Sequence, residues 1–68
     1  YANASIEVSQ NINVDGYSKA AQYKLSALNT APASATATGT LGEIRVTSIA
    51  IYICTATNTW VKADLTTW

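Results

Sequence analysis

The stretch that decides the fold is EIRVTSIAIYICTATNTWVKADL, residues 43–65. Its first part, EIRVT, alternates apolar and polar side chains, with Ile44 and Val46 on one side. Its last part, WVKADL, alternates in the same way, with Val61 and Leu65 on one side. A period of two is typical of strands that bury one face. Both parts are therefore predicted to be strands.

The middle part, IAIYICT, is apolar on both sides of the chain. One side carries Ile49, Ile51 and Ile53, and the other carries Ala50, Tyr52 and Cys54. A strand of this kind is covered on both faces and lies at the centre of a sheet. Because one three-stranded sheet cannot cover both of its own faces, we expect the upstream segment or another chain to cover the second one.

Short polar turns separate these three strands. The segment ATNT, centred on Asn58, follows the apolar strand, and Ser48 precedes it. Strands joined by short turns form an antiparallel meander. The sequence therefore predicts an all-β fold with a small three-stranded antiparallel meander in residues 43–68.

Composition limits the functions that the chain can have. Its 68 residues include four basic and four acidic side chains, one cysteine and no histidine. A domain of this size buries only about 60% of the surface that its unfolded chain exposes, so we expect it to need partner chains. The charges are single and scattered, which argues against nucleic-acid binding. No apolar stretch approaches the roughly 20 residues of a membrane span. Since the chain begins with Tyr1 and holds no methionine, we expect it to be part of a longer polypeptide.

The upstream half carries weaker patterns. Residues 4–17, ASIEVSQNINVDGY, alternate as strands do and end at Asp15-Gly16, a pair that favours a tight turn. Residues 18–30 fit either a short helix or a short strand. Residues 31–42, APASATATGTLG, are a connector of small residues that is either a disordered linker or an extended segment lying against a neighbouring subunit.

No catalytic or metal-binding arrangement is found. Without histidine, Cys54 lacks its usual base, and its place in an apolar strand predicts a buried and inert thiol. Asp15 is explained by its turn and Glu43 by the solvent face of a strand, so no carboxylate pair is available for glycoside hydrolysis. The three glycines do not have the spacing of a phosphate-binding loop. We expect neither enzymatic activity nor a cofactor.

Two segments resemble a known family of viral proteins. YKLSALNTAPASATATGTLGEIRVTS, residues 23–48, and IYICTATNTWVKADLTTW, residues 51–68, are similar to the C-terminal module of tailed-phage fibres and related virion appendages. The shared features are the small-residue stretch before GEIR, the strand and turn around TATNTW, and the final Trp. This chain departs from the pattern at Ile49 and Ala50, where a polar or aromatic residue is usual.

The resemblance implies a non-enzymatic tail-fibre tip on the exterior of the virion. Residues 1–30 would be the end of a β-rich shaft, which favours extended structure over a helix there, residues 31–42 a connector, and residues 43–68 a terminal knob. The chain would form an intertwined homotrimer, contact other virion proteins and meet a host-surface glycan or protein, without membrane insertion. The alternative is a capsid-bound head fibre or decoration protein.

Two sets of site residues follow from these expectations. The candidates for the trimer core are Ile44, Val46, Ile51, Tyr52, Ile53, Cys54, Leu65 and Trp68. The candidates for receptor contact are Asn58 at the hairpin tip and Trp60 with Lys62 on the more polar strand face. An exposed indole beside an amide and an ammonium group suits sugar recognition. The competing interpretation is that Trp60 packs in an interface.

Overall fold

A computed structural model describes residues 7–68, and its ordered centre is one antiparallel sheet. Strand β1 spans Ile44–Val46, β2 spans Ala50–Ala56 and β3 spans Thr59–Asp64. The strands follow the order β1-β2-β3, so each pairs with its neighbour in the sequence. Residues 7–68 contain no helix. The predicted all-β fold and its three-stranded meander are confirmed.

The register of the strands divides their side chains between two faces. Ile53 of β2 lies opposite Ile44 of β1 and Val61 of β3. The apolar face of the sheet comprises Ile44, Val46, Ile51, Ile53, Val61 and Ala63. The mixed face comprises Arg45, Ala50, Tyr52, Cys54, Trp60, Lys62 and Asp64. The strand alternation therefore puts every charged strand residue on the mixed face.

Two short turns fix this register. In the β1–β2 turn, the Thr47 hydroxyl accepts a hydrogen bond from the Ala50 N–H at 3.2 Å, and the Thr47 N–H donates to the Ala50 carbonyl at 3.0 Å. The β2–β3 turn has two residues, and its Asn58 has a φ of 53°. Asparagine is among the few residues that adopt this left-handed conformation readily. The turn predicted at Asn58 is confirmed.

Asn29 pairs with the outer edge of β1 at Val46. The Asn29 N–H donates to the Val46 carbonyl at 2.8 Å, and the Asn29 side-chain oxygen accepts from the Val46 N–H at 2.8 Å. Asn29 thus supplies the donor and the acceptor that a neighbouring strand would supply. Exposed strand edges are templates for unwanted pairing. Asn29 removes this risk at Val46.

The expected strands upstream of the meander do not form in the single chain. Residues 7–43 hold no strand, and residues 18–30 are neither helix nor strand. The prediction for residues 4–6 lies outside the described residues. A strand pattern needs a partner for its backbone hydrogen bonds, and the single chain offers none for residues 7–17. The chain does bend at Asp15 and Gly16, where a turn was predicted.

Residues 7–68 include no helix with the length and apolar character needed to cross a membrane.

Candidate functional site

Trp60 is the central side chain of the folded part. It lies on β3 opposite Cys54 and is 5% exposed. Its indole Nε1–H donates to the Ala37 carbonyl at 3.0 Å, and its backbone N–H donates to the Ala35 carbonyl at 2.8 Å. Both acceptors belong to residues 31–42. The connector is therefore packed over Trp60 on the mixed face of its own sheet and is not a disordered linker. Its contact with a neighbouring subunit stays a prediction.

Gly39 makes this cover possible. A Cβ atom at Gly39 would lie 2.6 Å from Cζ2 of Trp60, a distance that real Cβ contacts do not show. Only glycine lets the backbone approach the ring so closely. The hairpin tip then fastens the connector in place. The Asn58 N–H donates to the Gly39 carbonyl at 3.0 Å, and the Gly39 N–H donates to the Asn58 side-chain oxygen at 3.0 Å.

Arg45 also contacts the indole of Trp60. Its guanidinium carbon lies 5.0 Å from the centroid of the Trp60 ring, a cation–π distance. Its Nε donates to the Glu43 carboxylate at 3.0 Å, and its Nη1 donates to the Thr30 carbonyl at 3.3 Å. The second Glu43 oxygen accepts from the Thr40 N–H at 3.3 Å. Arg45 of β1 is thus linked to Thr30, just before the connector, and Glu43, just before β1, is linked to Thr40 near the connector's end.

These contacts make the packing of the connector on the sheet sensitive to acid. The Arg45 hydrogen bond, followed by the Thr40 N–H, lowers the pKa of Glu43 below its ordinary value of 4.5. A carboxylate with a lowered pKa stabilises the fold above its unfolded pKa, and this contribution is lost as the pH falls through the folded pKa. We expect the melting temperature to decrease below pH 4.5 more in the native chain than in Glu43→Gln. Melting curves from pH 3 to pH 7 test this, and equal pH dependence of the two proteins would contradict it.

The receptor-contact prediction needs a correction at Trp60. The polar-face alternation correctly placed Trp60 and Lys62 on the mixed face, but the expected exposure of the indole is wrong because the connector covers it. Asn58 and Lys62 are exposed. The Lys62 ammonium lies 3.5 Å from the Asp64 carboxylate on the same strand. The three candidates therefore do not form one exposed platform.

Cys54 lies beneath the same cover. Its side chain is fully buried, and its Sγ–H donates to the Ala56 carbonyl at 3.0 Å. Burial of a thiol limits access by reagents. We expect a maleimide to label Cys54 at least tenfold more slowly in the native chain than in urea. Mass spectrometry of timed samples measures this, with an exposed-cysteine variant, Thr57→Cys in Cys54→Ala, as the fast control. Equal rates for Cys54 and the control would contradict its burial.

The trimer-core candidates fall into three groups. Cys54 is buried by its own chain, so it needs no partner. Val46, Ile51 and Tyr52 are half-buried. The exposed candidates are Ile44, Ile53, Leu65 and Trp68. Most of the set therefore retains apolar surface that the single chain leaves uncovered.

The whole chain exposes more surface than a compact monomer does. Its accessible area is 6414 Å². A compact monomer of this mass would expose about 4,100 Å², which leaves a surplus of about 2,300 Å². Its radius of gyration is 14.7 Å, whereas about 11 Å is expected for a compact domain of this length. In the described residues, the buried apolar side chains are Ala50, Cys54 and Trp60.

The described residues hold no cluster of three or more side chains that could bind a metal.

Comparison with known proteins gives a limited match. The chain is 41% identical over 44 residues to the capsule K30/K69-specific depolymerase of Klebsiella phage K64-1. The match covers 65% of this chain and 6% of that protein. No protein-family model matches the chain. No solved structure matches it significantly. The chain is thus similar to a small part of a phage protein, and the named activity belongs to that whole protein.

Proposed function

We propose that this chain is a non-catalytic structural module of a phage virion fibre, such as a tail-fibre tip on the exterior of the particle. The partial match to a phage depolymerase carries the fibre setting of this proposal, and the uncovered apolar face of the sheet carries its assembly. Five large aliphatic side chains on this face find no complete cover in the described part of the chain. The partial match supports a phage fibre-like protein as the protein that contains this face.

The partner that this face suits is the same chain, in a homotrimer. The apolar face carries no charge, so copies can meet on it without burying an unpaired ion. Obligate interfaces start at about 2,000 Å² in total, or about 1,000 Å² from each partner. Each chain of a trimer makes two contacts, so the large apolar side chains that lie exposed outside the sheet would take part as well as the apolar face.

Host contact is the second part of the proposal. Its candidates are now the exposed Asn58 and Lys62, with a surface glycan or protein as the partner. Trp60 is no longer among them, because its ring is covered. Other virion proteins are the further partners that we propose for this module.

The assembly is tested by a charge placed on the apolar face. We expect Ile53→Lys to convert the assembly to monomers, because a lysine there would have to be buried unpaired. Burying a charge without a partner costs several kcal/mol. A cost of this size lowers the association constant about a thousandfold. Light scattering over a range of concentrations and native mass spectrometry measure the number of chains.

Thr57→Lys provides the matched control, because Thr57 is exposed in the hairpin turn. This variant should keep the native number of chains. A native chain that stays a folded, cooperative monomer at all concentrations would contradict the proposed assembly.

A further inference from the structure

Strand β3 has an open outer edge at Lys62 and Asp64. In an antiparallel sheet, the backbone N–H and C=O groups of a strand point to its two sides at alternate residues. The Leu65 N–H donates to the Ile49 carbonyl at 2.8 Å, so Leu65 and, by alternation, Ala63 point towards β2. Lys62 and Asp64 therefore point their backbone groups away from the sheet, and no other segment of residues 7–68 bonds to them there.

The two outer edges of the sheet differ in how far they are occupied. On β3, the Trp60 N–H also points outwards, but it donates to the Ala35 carbonyl of the connector at 2.8 Å. On β1, which has three residues, Asn29 pairs with Val46 and leaves Ile44 as the remaining outward residue. The part of β3 beyond Trp60 is thus the edge at which a further strand can join the sheet.

Residues 8–14, VSQNINV, have a strand pattern without a partner. Val8, Ile12 and Val14 are exposed and lie at alternate positions with polar residues between them. Residues 7–17 make no backbone hydrogen bond to any residue of the described part of the chain. The ladder of a strand needs partners for these groups. The segment therefore lacks the neighbour that its side-chain pattern requires.

We propose that residues 8–14 of one copy join the β3 edge of another copy as an antiparallel fourth strand, with Asn13 opposite Lys62 and Asn11 opposite Asp64. The edge belongs to another copy because the segment and its own β3 edge do not pair in the single chain. An amide accepts from an ammonium group and donates to a carboxylate, so both polar pairs are complementary. This exchange rests on the proposed assembly and names the segment through which its copies hold each other.

The proposed register suits the faces of the sheet and the end of the segment. Ile12 lies beside Ala63 and Val14 beside Val61, so the added strand extends the uncovered apolar face. A shift of one residue would turn the two apolar side chains to the mixed face. The chain bends directly after Val14, and in this register the bend falls at Trp60, where the connector already occupies the edge.

The first experiment is a disulfide cross-link between two different variants. Asn13→Cys and Lys62→Cys are made separately in Cys54→Ala, and the two chains are refolded together and oxidised. Opposite residues of this kind have Cα atoms about 5.5 Å apart, which a disulfide spans. Because each chain then holds one cysteine, a bond between positions 13 and 62 joins two copies.

Ser9→Cys mixed with Lys62→Cys is the matched control for the cross-link. Residue 9 has the same parity as residue 13 but lies about 13 Å further along the strand, beyond the reach of a disulfide. We expect at least tenfold more of the 13–62 bond than of the 9–62 bond. Mass spectrometry of the digested, unreduced protein measures both.

The second experiment removes one backbone donor at a time. In the proposed register the Asn11 N–H bonds to β3, and the Gln10 N–H points away from it. Asn11→Pro should raise the concentration for half-assembly about tenfold or more. Gln10→Pro should stay within threefold, because proline is tolerated where the N–H of an edge strand faces away. Light scattering measures assembly, and the circular dichroism of the meander should not change in either variant.

The outcomes separate the exchange from the assembly itself. If the native chain assembles but the 13–62 bond forms no more than the 9–62 bond, the exchange is wrong and the proposed assembly stands. Equal effects of the two prolines would also overturn the exchange. A chain carrying both Asn13→Cys and Lys62→Cys reports pairing within one copy, and a 13–62 bond in its dilute monomer would place the segment on its own sheet and overturn the exchange. If the native chain never assembles, both proposals fail.

Discussion

Trp60→Ala is expected to unfold the sheet of the single chain. Replacing a buried tryptophan by alanine costs about 3–5 kcal/mol. A core in a chain this small rarely supplies more than about that amount. The indole also provides the hydrogen-bond donor for the Ala37 carbonyl and the surface on which Arg45 stacks. Urea unfolding followed by circular dichroism measures the loss.

Tyr17→Ala is the control for this stability measurement. Tyr17 is exposed outside the sheet, so its removal should change the free energy of unfolding by less than about 0.5 kcal/mol. The same Trp60→Ala protein also tests the discarded receptor role. If it keeps its unfolding midpoint but loses adsorption to host cells, Trp60 is a contact residue and the covered geometry is wrong.

Gly39→Val is expected to lift the connector from the sheet. The first added atom would lie 2.6 Å from the Trp60 ring, and the β-branched side chain requires further space there. Overpacking of this kind typically costs about 1–3 kcal/mol. Moving residue 39 away from the ring would also distort its two hydrogen bonds with Asn58. We expect a lower melting temperature and a red-shifted Trp60 emission.

Gly16→Val is a matched control for the glycine substitution. A Cβ at Gly16 would meet no atom within 4 Å, and the position does not require a positive φ. Its melting temperature should therefore stay close to that of the native chain. Equal destabilisation by the two substitutions would show that the effect at Gly39 does not come from its approach to Trp60.

The sheet was predictable from the sequence because its information is local. Alternation in EIRVT and WVKADL assigns each side chain to a face, and the small polar turn at Asn58 sets the hairpin. The same alternation placed Trp60 and Lys62 on one side of their strand, where the structure has them. Alternation in a strand predicts the face to which a side chain points. It does not predict whether another segment covers that face. The exposure of Trp60 was wrong for this reason.

The packing of residues 31–42 over Trp60 was hard to predict from the sequence. Residues 31–42 are mainly small, so they lack the apolar periodicity from which packing is usually inferred. The available hint was Gly39, since an isolated glycine can mark a close approach of two backbones. The upstream strands illustrate the opposite problem. Ile12 and Val14 alternate with polar residues as in a strand. The alternation does not show which strand would pair with this segment.

The connector is also made before the sheet that it covers. Synthesis proceeds from the N-terminus at about 5–20 residues per second, so residues 31–42 precede the end of β3 by seconds. The β2–β3 hairpin, once complete, forms in about 1–10 μs because its loop has two residues. During that interval the connector must avoid other partners. Its alanines, serines and threonines offer little apolar surface through which nascent chains could aggregate. The small-residue composition that makes the packing of the connector hard to predict therefore also lowers its tendency to aggregate before β3 is complete.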